Sequence, residues 1–292
     1  MARNKSGAVL VTGASTGIGR ACVKVLDEAG YKVFAGVRKQ KDANAIKKES
    51  SKNVVPVTID VTKERSITAA KQKIQRSVGK DGLVGLVNNA GVGGGGPVEF
   101  IPIDDFRHTL EVNLVGQVAV TQQFLPLIRK GKGTIVFIAS IGGRIAAPFM
   151  SPYSASKHGI EALGDSLRRE VKPWGIDVVV VEPGSIDTKI WEKGGEQLEE
   201  NRANAPREAM RLYGKQMENF GKVIVETANR GIPPEKVAEV VRKAIRKGRP
   251  KHRYLVGTDA KIGARASAVL PSRTFDGMVR RQTGMPKKLD TK

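Results

Sequence analysis

The sequence predicts an α/β protein built on a doubly wound parallel sheet of seven strands with helices on both faces. Three observations predict it. Short apolar runs alternate with longer stretches of helical character, the pattern of strand-helix units joined into one parallel sheet. A glycine-spaced loop, Thr12-Gly13-Ala14-Ser15-Thr16-Gly17-Ile18-Gly19, separates the first apolar run from the first helix. The polar residues that suggest chemistry fall at or beside the carboxyl ends of the apolar runs, where open parallel sheets bind ligands.

Length and composition set the frame. The chain has 292 residues, 40% of them hydrophobic, and 33 glycines, which suits an α/β protein with a large core and many tight turns. A single cysteine, Cys22, excludes an intrachain disulfide and suits a reducing compartment. Lying among Ala21, Val23 and Val25, it reads as a buried, inert thiol. The run Ala8 to Val11 stops at Thr12, too short for the apolar region of a signal peptide, and no apolar stretch reaches membrane-spanning length. The expectation is a cytoplasmic protein. The net charge is +21, and residues 231–292 carry 16 Lys and Arg against 5 Asp and Glu. Such a balance raises nucleic-acid or anionic-membrane binding. The only aromatics in the segment are Tyr254 and Phe275, and no zinc, RRM or KH pattern occurs, so a solubilising basic surface is the preferred reading. His108, His158 and His252 are scattered and make no metal site.

Taken in order, Ala8 to Thr12 is the first strand and Gly17 to about Ala29 the first helix. The glycines between them permit a tight turn and close backbone approach, and the helix N-terminus favours an anion such as a pyrophosphate. Tyr31 to Val37 is the second strand. The acidic residue that would hold both ribose hydroxyls of NAD is missing: Val37 stands in its place, followed by Arg38 and Lys39. Arg38 suits a 2′-phosphate, with Arg20 as a possible second charge, unless Arg38 and Lys39 simply begin a solvated helix. NADP(H) is therefore expected ahead of NAD(H). Val54 to Ile59 is the third strand, and Asp60 at its end either meets an adenine amino group or caps the helix from about Glu64 to Val78.

Leu83 to Val87 is the fourth strand, running into Asn88-Asn89-Ala90-Gly91; the glycines Gly93 to Gly96 then read as a mobile rim. Asp104 to Arg129 reads as one helix carrying Asn113, whose amide needs a partner, either at a kink with bound water or in a plain hydrogen bond. Gly133 to Ala139 is the fifth strand, ending at Ser140. A helix from about Tyr153 to Val171 follows, in which Tyr153 and Lys157 share a face about 5–6 Å apart between Cβ atoms. An ammonium there would favour the phenolate and lower the tyrosine pKa, fitting the pair for proton exchange with an alcohol or carbonyl. Ile176 to Val181 is the sixth strand, with Pro183-Gly184 at its exit. Lys189 to Val225 is polar and helical with spaced apolar residues, among them Trp191, Leu198, Tyr213, Met217 and Phe220. It reads as a substrate lid or as an amphipathic surface helix pair. A helix from Pro233 to Lys247 and a seventh strand, His252 to Gly257, complete the sheet. Asp259 to Gly277 suggests a further helix and turn before a loose basic tail. With no repeat and no linker, a single domain is expected over 1–292: a core of about 7–257, a lid of about 189–225 and a basic extension over 258–292.

Four of these stretches in order, Thr12-Gly-x-x-x-Gly-x-Gly19, Asn88-Asn-Ala-Gly91, Ser140 with Tyr153-x-x-x-Lys157, and Pro183-Gly184, resemble the signatures of the short-chain dehydrogenase/reductase family over about residues 7–257. The resemblance implies a Rossmann-type fold and hydride transfer to or from a nicotinamide. It implies that Tyr153 is the general acid/base, that Lys157 lowers its pKa and binds the nicotinamide ribose, that Ser140 positions the substrate oxygen and that Asn113 supports a water relay. The implied cofactor site comprises Gly13, Ser15, Thr16, Gly17, Ile18, Gly19, Arg38, Asp60, Val61, Asn89, Ala90, Gly91, Tyr153, Lys157, Pro183, Gly184, Ile186 and Thr188. Val33 to Lys39, Tyr153 to His158, Val180 to Gly184 and Arg253 to Gly257 are similar to the branch with 17β-hydroxysteroid and retinol dehydrogenases and their bacterial relatives. That implies an apolar alcohol or ketone substrate, steroid-, retinoid- or lipid-like, and a homodimer or homotetramer paired through helices. The competing expectation is a binding protein that senses the cofactor, or binds nucleic acid through its basic surface, without turnover.

Overall fold

The apolar runs become strands because they are short and apolar, and those in the middle of the sheet are buried on both faces. In the computed structural model, which describes residues 7–188, 200–246 and 248–288, they are β1 (Ala8–Val11), β2 (Lys32–Val37), β3 (Val54–Thr58), β4 (Gly85–Asn88), β5 (Thr134–Ile138), β6 (Asp177–Pro183) and β7 (Arg253–Val256). The helices are α1 (Gly17–Glu28), α2 (Gln40–Glu49), α3 (Glu64–Val78), α4 (Ile103–Leu110), α5 (Gly116–Gly131), α6 (Ser151–Val171), α7 (Arg207–Asn229), α8 (Glu235–Arg246), α9 (Thr258–Val269) and α10 (Ser272–Gln282). The seven strands pair in parallel in one sheet of order β3-β2-β1-β4-β5-β6-β7. This is the doubly wound, Rossmann-type architecture expected from the sequence. The order reverses between β1 and β4, so the crossovers leave to opposite faces and a crevice opens at the carboxyl edge between them.

Strand alternation divides the core into two layers. Val9, Val11, Val33, Ala35, Val179 and Val181 face α1 and α8, meeting Cys22, Leu26, Val237 and Val241. Leu10, Phe34, Leu86, Phe137, Val178 and Val180 face the other way, against Ile67, Ile74, Phe124, Ile128 and Ile160 of α3, α5 and α6. A fully buried side chain of this size stabilises the fold by about 1.5–3 kcal/mol, so two such layers hold the carboxyl edge of the sheet rigid. Cys22 lies wholly inside the first layer, and burial pushes its thiol up to about 12.

Three expectations change. The helix expected over 104–129 is interrupted: α4 passes into a π-helical turn, Glu111–Val115, before α5 begins. The tail is not loose through its last fifteen residues, because α10 runs to Gln282 and Met285 packs against the apolar face of α7. The basic extension is also not an appendage, since Asp259 Oδ2 accepts a 2.7 Å hydrogen bond from the Ser185 N–H in the turn after β6. Of the expected lid, residues 189–199, with Trp191 and Leu198, lie outside the described residues.

Candidate functional site

The loop after β1 is held from beneath by β4. Thr12 Oγ1 donates to the Val87 carbonyl at 3.3 Å and accepts from the N–H groups of Asn89 and Ala90 at 3.0 and 3.1 Å. Asn89 Nδ2 returns two bonds, to the carbonyls of Thr12 (2.9 Å) and Gly13 (3.1 Å). Gly13 and Gly17 take φ of 63° and 54°, the left-handed region where a side chain is strained. Thr16 caps α1 without a side-chain bond, so the N–H groups of the first helical turn have no side-chain acceptor at the mouth of the crevice. An anion supplies what those groups lack.

Seventeen of the eighteen residues expected around a dinucleotide line this single crevice: the exception is Gly19. A Cβ on Gly19 would sit 2.2 Å from the Gly13 carbonyl oxygen, so its role is to let α1 close against the loop beneath the site. Arg38 and Asp60 stand at the far end, beyond β2 and β3, and Val37 occupies the place of the missing acid with its side chain buried. Arg20 does not line this crevice, and its Nη2 is paired with Glu49 Oε2 at 2.6 Å. Arg38 lines the crevice, and no described carboxylate lies within salt-bridge distance of it. Asp60 does not cap α3; its Oδ1 accepts from Thr62 N (3.1 Å) and Thr62 Oγ1 (2.8 Å), and Lys63 precedes the helix. Burial opposes its ionisation, but Thr62, Lys63 and Arg38 outweigh it and hold the carboxyl below its usual range. The residues present therefore fit a phosphorylated dinucleotide.

At the near end, Ser140 leaves β5, and α6 returns Tyr153 and Lys157 to the same edge. Lys157 Nζ donates to the Ile138 carbonyl at 2.9 Å and lies 5.6 Å from the centre of the Tyr153 ring. Ser140 accepts from the Gly142 N–H at 3.0 Å and is hydrogen-bonded to Tyr153. Burial pushes Lys157 down to about 8, with Glu161 opposing the fall. Tyr153 departs from expectation. Although its ring still faces the crevice, burial raises its pKa above the usual phenol value, and Ser140 is what lowers it in part. The reason is that burial strips solvent from the phenolate more than the Ser140 hydroxyl makes up for.

Asn113 does not line the crevice. It is buried behind it in the π-helical turn, where Nδ2 donates to the Val92 carbonyl (3.0 Å) and Ser156 Oγ (3.1 Å) and Oδ1 accepts from the Val92 N–H (2.8 Å). The partner is neither a strand nor a kink water: the amide is satisfied directly by Val92 in the loop after β4 and by Ser156 on α6.

Several residues at the site had no motif to mark them. Gln117 holds the Ala90 carbonyl from α5, and Thr121 accepts from Asn88 Nδ2 at 2.9 Å. Glu182, fully buried on β6, is gripped by the Nε and Nη2 of Arg144, while Arg253 Nε reaches Glu161 Oε2 at 2.8 Å and Arg253 Nη2 reaches Asp165 Oδ2 at 2.9 Å. A carboxylate closing the apolar run Val178–Val181 was the available signal, since it cannot be buried unpaired.

The substrate side is apolar. Phe149 packs edge-on against Tyr213 and Phe220 of α7, with Met150, Met217 and Met285 beside them. Gly93 to Gly96 is pinned rather than a free rim: Gly96 N donates to the Phe149 carbonyl at 2.7 Å, and Asn201 Nδ2 reaches the Gly95 carbonyl at 3.0 Å. Tyr213 OH donates to Glu99 at 2.9 Å, tying α7 across the same mouth.

The family model for short chain dehydrogenases matches residues 7–199 of the chain. The chain is similar to an NADPH-dependent 3-dehydrocapnine reductase of Ornithobacterium rhinotracheale, 36% identical over 91% of this chain and 94% of the relative. It is also similar to a 17-beta-hydroxysteroid dehydrogenase type 6 of Bos taurus, 35% identical over 95% and 89%. Among solved structures it resembles a short chain dehydrogenase from Burkholderia cenocepacia J2315 in complex with NADP, with a TM-score of 0.71 and 25% identity over 96% of this chain and 98% of the other.

Proposed function

Since the chain belongs to the short-chain dehydrogenase/reductase family, we propose that it is an NADP(H)-dependent oxidoreductase that interconverts a hydroxyl and a carbonyl on a small to medium apolar substrate, steroid-, retinoid- or lipid-like. The observation that carries the reading is the meeting of Ser140, Tyr153 and Lys157 at one end of a crevice whose other end has Val37 where an acid would stand and Arg38 directly after it. The nucleotide, when bound, supplies or accepts the hydride. Tyr153, a phenol in its resting state, donates its proton to the substrate oxygen in reduction and takes it back in oxidation. Ser140 holds that oxygen next to the phenol, and Lys157, anchored on Ile138, presents its ammonium to the ribose and to Tyr153. Asn113 fixes the Val92 backbone and Ser156, so that α6 and the loop after β4 keep their spacing. The cluster of Phe149, Tyr213 and Phe220 suits an apolar substrate body and disfavours a polar one.

We further propose a single catalytic domain in which α7 serves as lid and the extension from Thr258 onward completes the fold. No helix among the described residues is long and apolar enough to cross a membrane. With one buried cysteine this supports a cytoplasmic setting. Exposed Ile103 and Val115 beside α5 support pairing of subunits through that side. The test of function is a fluorescence titration with NADPH and, separately, NADH, followed by a reductase screen with apolar ketones and aldehydes. Tighter NADPH binding and turnover are expected. Preference for NADH would overturn the cofactor assignment, and binding of neither would overturn the enzyme reading.

A further inference from the structure

The loop that carries Ser140 and the helix that carries Tyr153 are joined by a chain of charges outside the crevice. Gly143 lies flat on α6: a Cβ there would stand 2.9 Å from the Lys157 carbonyl oxygen and 3.3 Å from Glu161 Cγ. The next residue, Arg144, grips Glu182 of β6, with Nη2 to Oε1 at 2.8 Å. Arg253 of β7 stands 3.6 Å from Glu182 and 2.8 Å from Glu161, which is one helical turn beyond Lys157. Asp165, a turn further on, takes the other side of Arg253 at 2.9 Å. Glu161 Oε2 is thus engaged, but its Oε1 is buried with no hydrogen-bond partner. A buried carboxylate oxygen left without a donor is costly, and Lys157 stands one helical turn back on the same helix, close enough for Glu161 to act on its charge.

We propose that Glu161, held by Arg253, is the counter-charge of the Lys157 ammonium, and that the Arg144, Glu182, Arg253, Glu161 chain locks the Ser140 loop onto the Tyr153 helix. Glu161 acts through Lys157 and is a positioning residue. The proposal rests on the reading of Lys157 as a cofactor-binding ammonium. The groups that bear on Lys157 are Tyr153, Glu161 and Asp165 on α6, Arg144 on the loop, Glu182 on β6 and Arg253 on β7. Burial alone drives Lys157 toward the neutral amine, and Glu161 opposes it; removing that negative charge therefore lets the proton leave at lower pH.

The test is the NADPH dissociation constant by fluorescence titration between about pH 6.5 and about pH 9.5. Wild type is expected to lose affinity as the pH rises through about 8. Glu161→Gln should move that midpoint down by about one pH unit, giving roughly several-fold weaker binding near neutrality and wild-type affinity at the acid end. Glu161→Asp, which keeps the charge, should restore most of the midpoint. Should Glu161→Gln fold poorly, Arg253→Met is expected to move the midpoint the same way by a smaller amount, because burial and Glu182 raise the Glu161 carboxyl and Arg253 is what holds it ionised. An unmoved midpoint, or uniform weakening at every pH, overturns the proposal. Lys157→Met separates the two layers of inference. If it abolishes the pH dependence while Glu161→Gln leaves it intact, only the role of Glu161 fails. If Lys157→Met retains the wild-type dependence, the reading of Lys157 fails and the proposal with it.

Discussion

Asn113 and Val92 exchange two hydrogen bonds, the amide Nδ2 to the Val92 carbonyl at 3.0 Å and the Val92 N–H to Oδ1 at 2.8 Å. The pairing resembles one rung of a sheet, made by a side chain. It becomes possible because the π-helical turn at Glu111–Val115 turns the amide toward the end of β4. Asn113→Ala should leave the part-buried Val92 N–H and carbonyl without their partner, at a cost of up to about 1–3 kcal/mol each. The expected result is a lower urea midpoint with an unchanged slope; an unchanged midpoint would show that solvent satisfies Val92.

Tyr153→Phe removes the hydroxyl while preserving the ring. Turnover should fall to background, and NADPH affinity should stay within about twofold, because burial keeps the residue an uncharged phenol in either case. Steady-state NADPH oxidation with an apolar aldehyde measures the first effect and fluorescence titration the second. Retained turnover would sink the mechanism.

Arg38 faces the site without a described carboxylate partner, whereas Arg20 is committed to Glu49. Replacing Arg38 by Gln should weaken NADPH about 10- to 100-fold, the value of a charge-assisted hydrogen bond, and leave NADH nearly unaffected. Equal losses for both nucleotides would place Arg38 elsewhere than at a 2′-phosphate.

The charge on Lys157 has a stability signature. Its folded pKa of about 8 lies below the ordinary lysine value, so between those values the unfolded chain binds more protons than the folded one. Folding stability attributable to this residue therefore rises as pH climbs through that window, and below it the buried ammonium is a standing cost. Lys157→Met should melt higher than wild type near pH 7, with the gap narrowing toward pH 10, as thermal unfolding at several pH values would record. A gap independent of pH would mean that the gain comes from packing alone.

Asp259 and Met285 make the C-terminal extension part of the fold. Truncation after Gly257 should strip the Ser185 N–H of its acceptor, loosen the Pro183-Gly184 turn and uncover Met217 and Phe220. A lower melting temperature and weaker NADPH binding are expected together. If the shortened chain binds NADPH as the full chain does, the extension is dispensable for the site.

Local chemistry decided what could be read from the chain itself. The apolar runs were short enough and the intervening helices long enough to specify a parallel sheet, and Gly13, Gly17, Tyr153 and Lys157 announced themselves because backbone conformation and helical spacing are properties of near neighbours. Arg38 was legible for the same reason, as it directly follows a strand. What only the tertiary structure decided are relations across long separations. Glu49 claims Arg20, Val92 claims Asn113, and Arg253 joins Glu161 to Glu182 across β6 and β7. The raised pKa of Tyr153 belongs to the same class, because it depends on how much solvent the packed walls exclude and not on which residue stands four positions along. Spacing brings two groups onto one face; burial sets the charge each of them carries there.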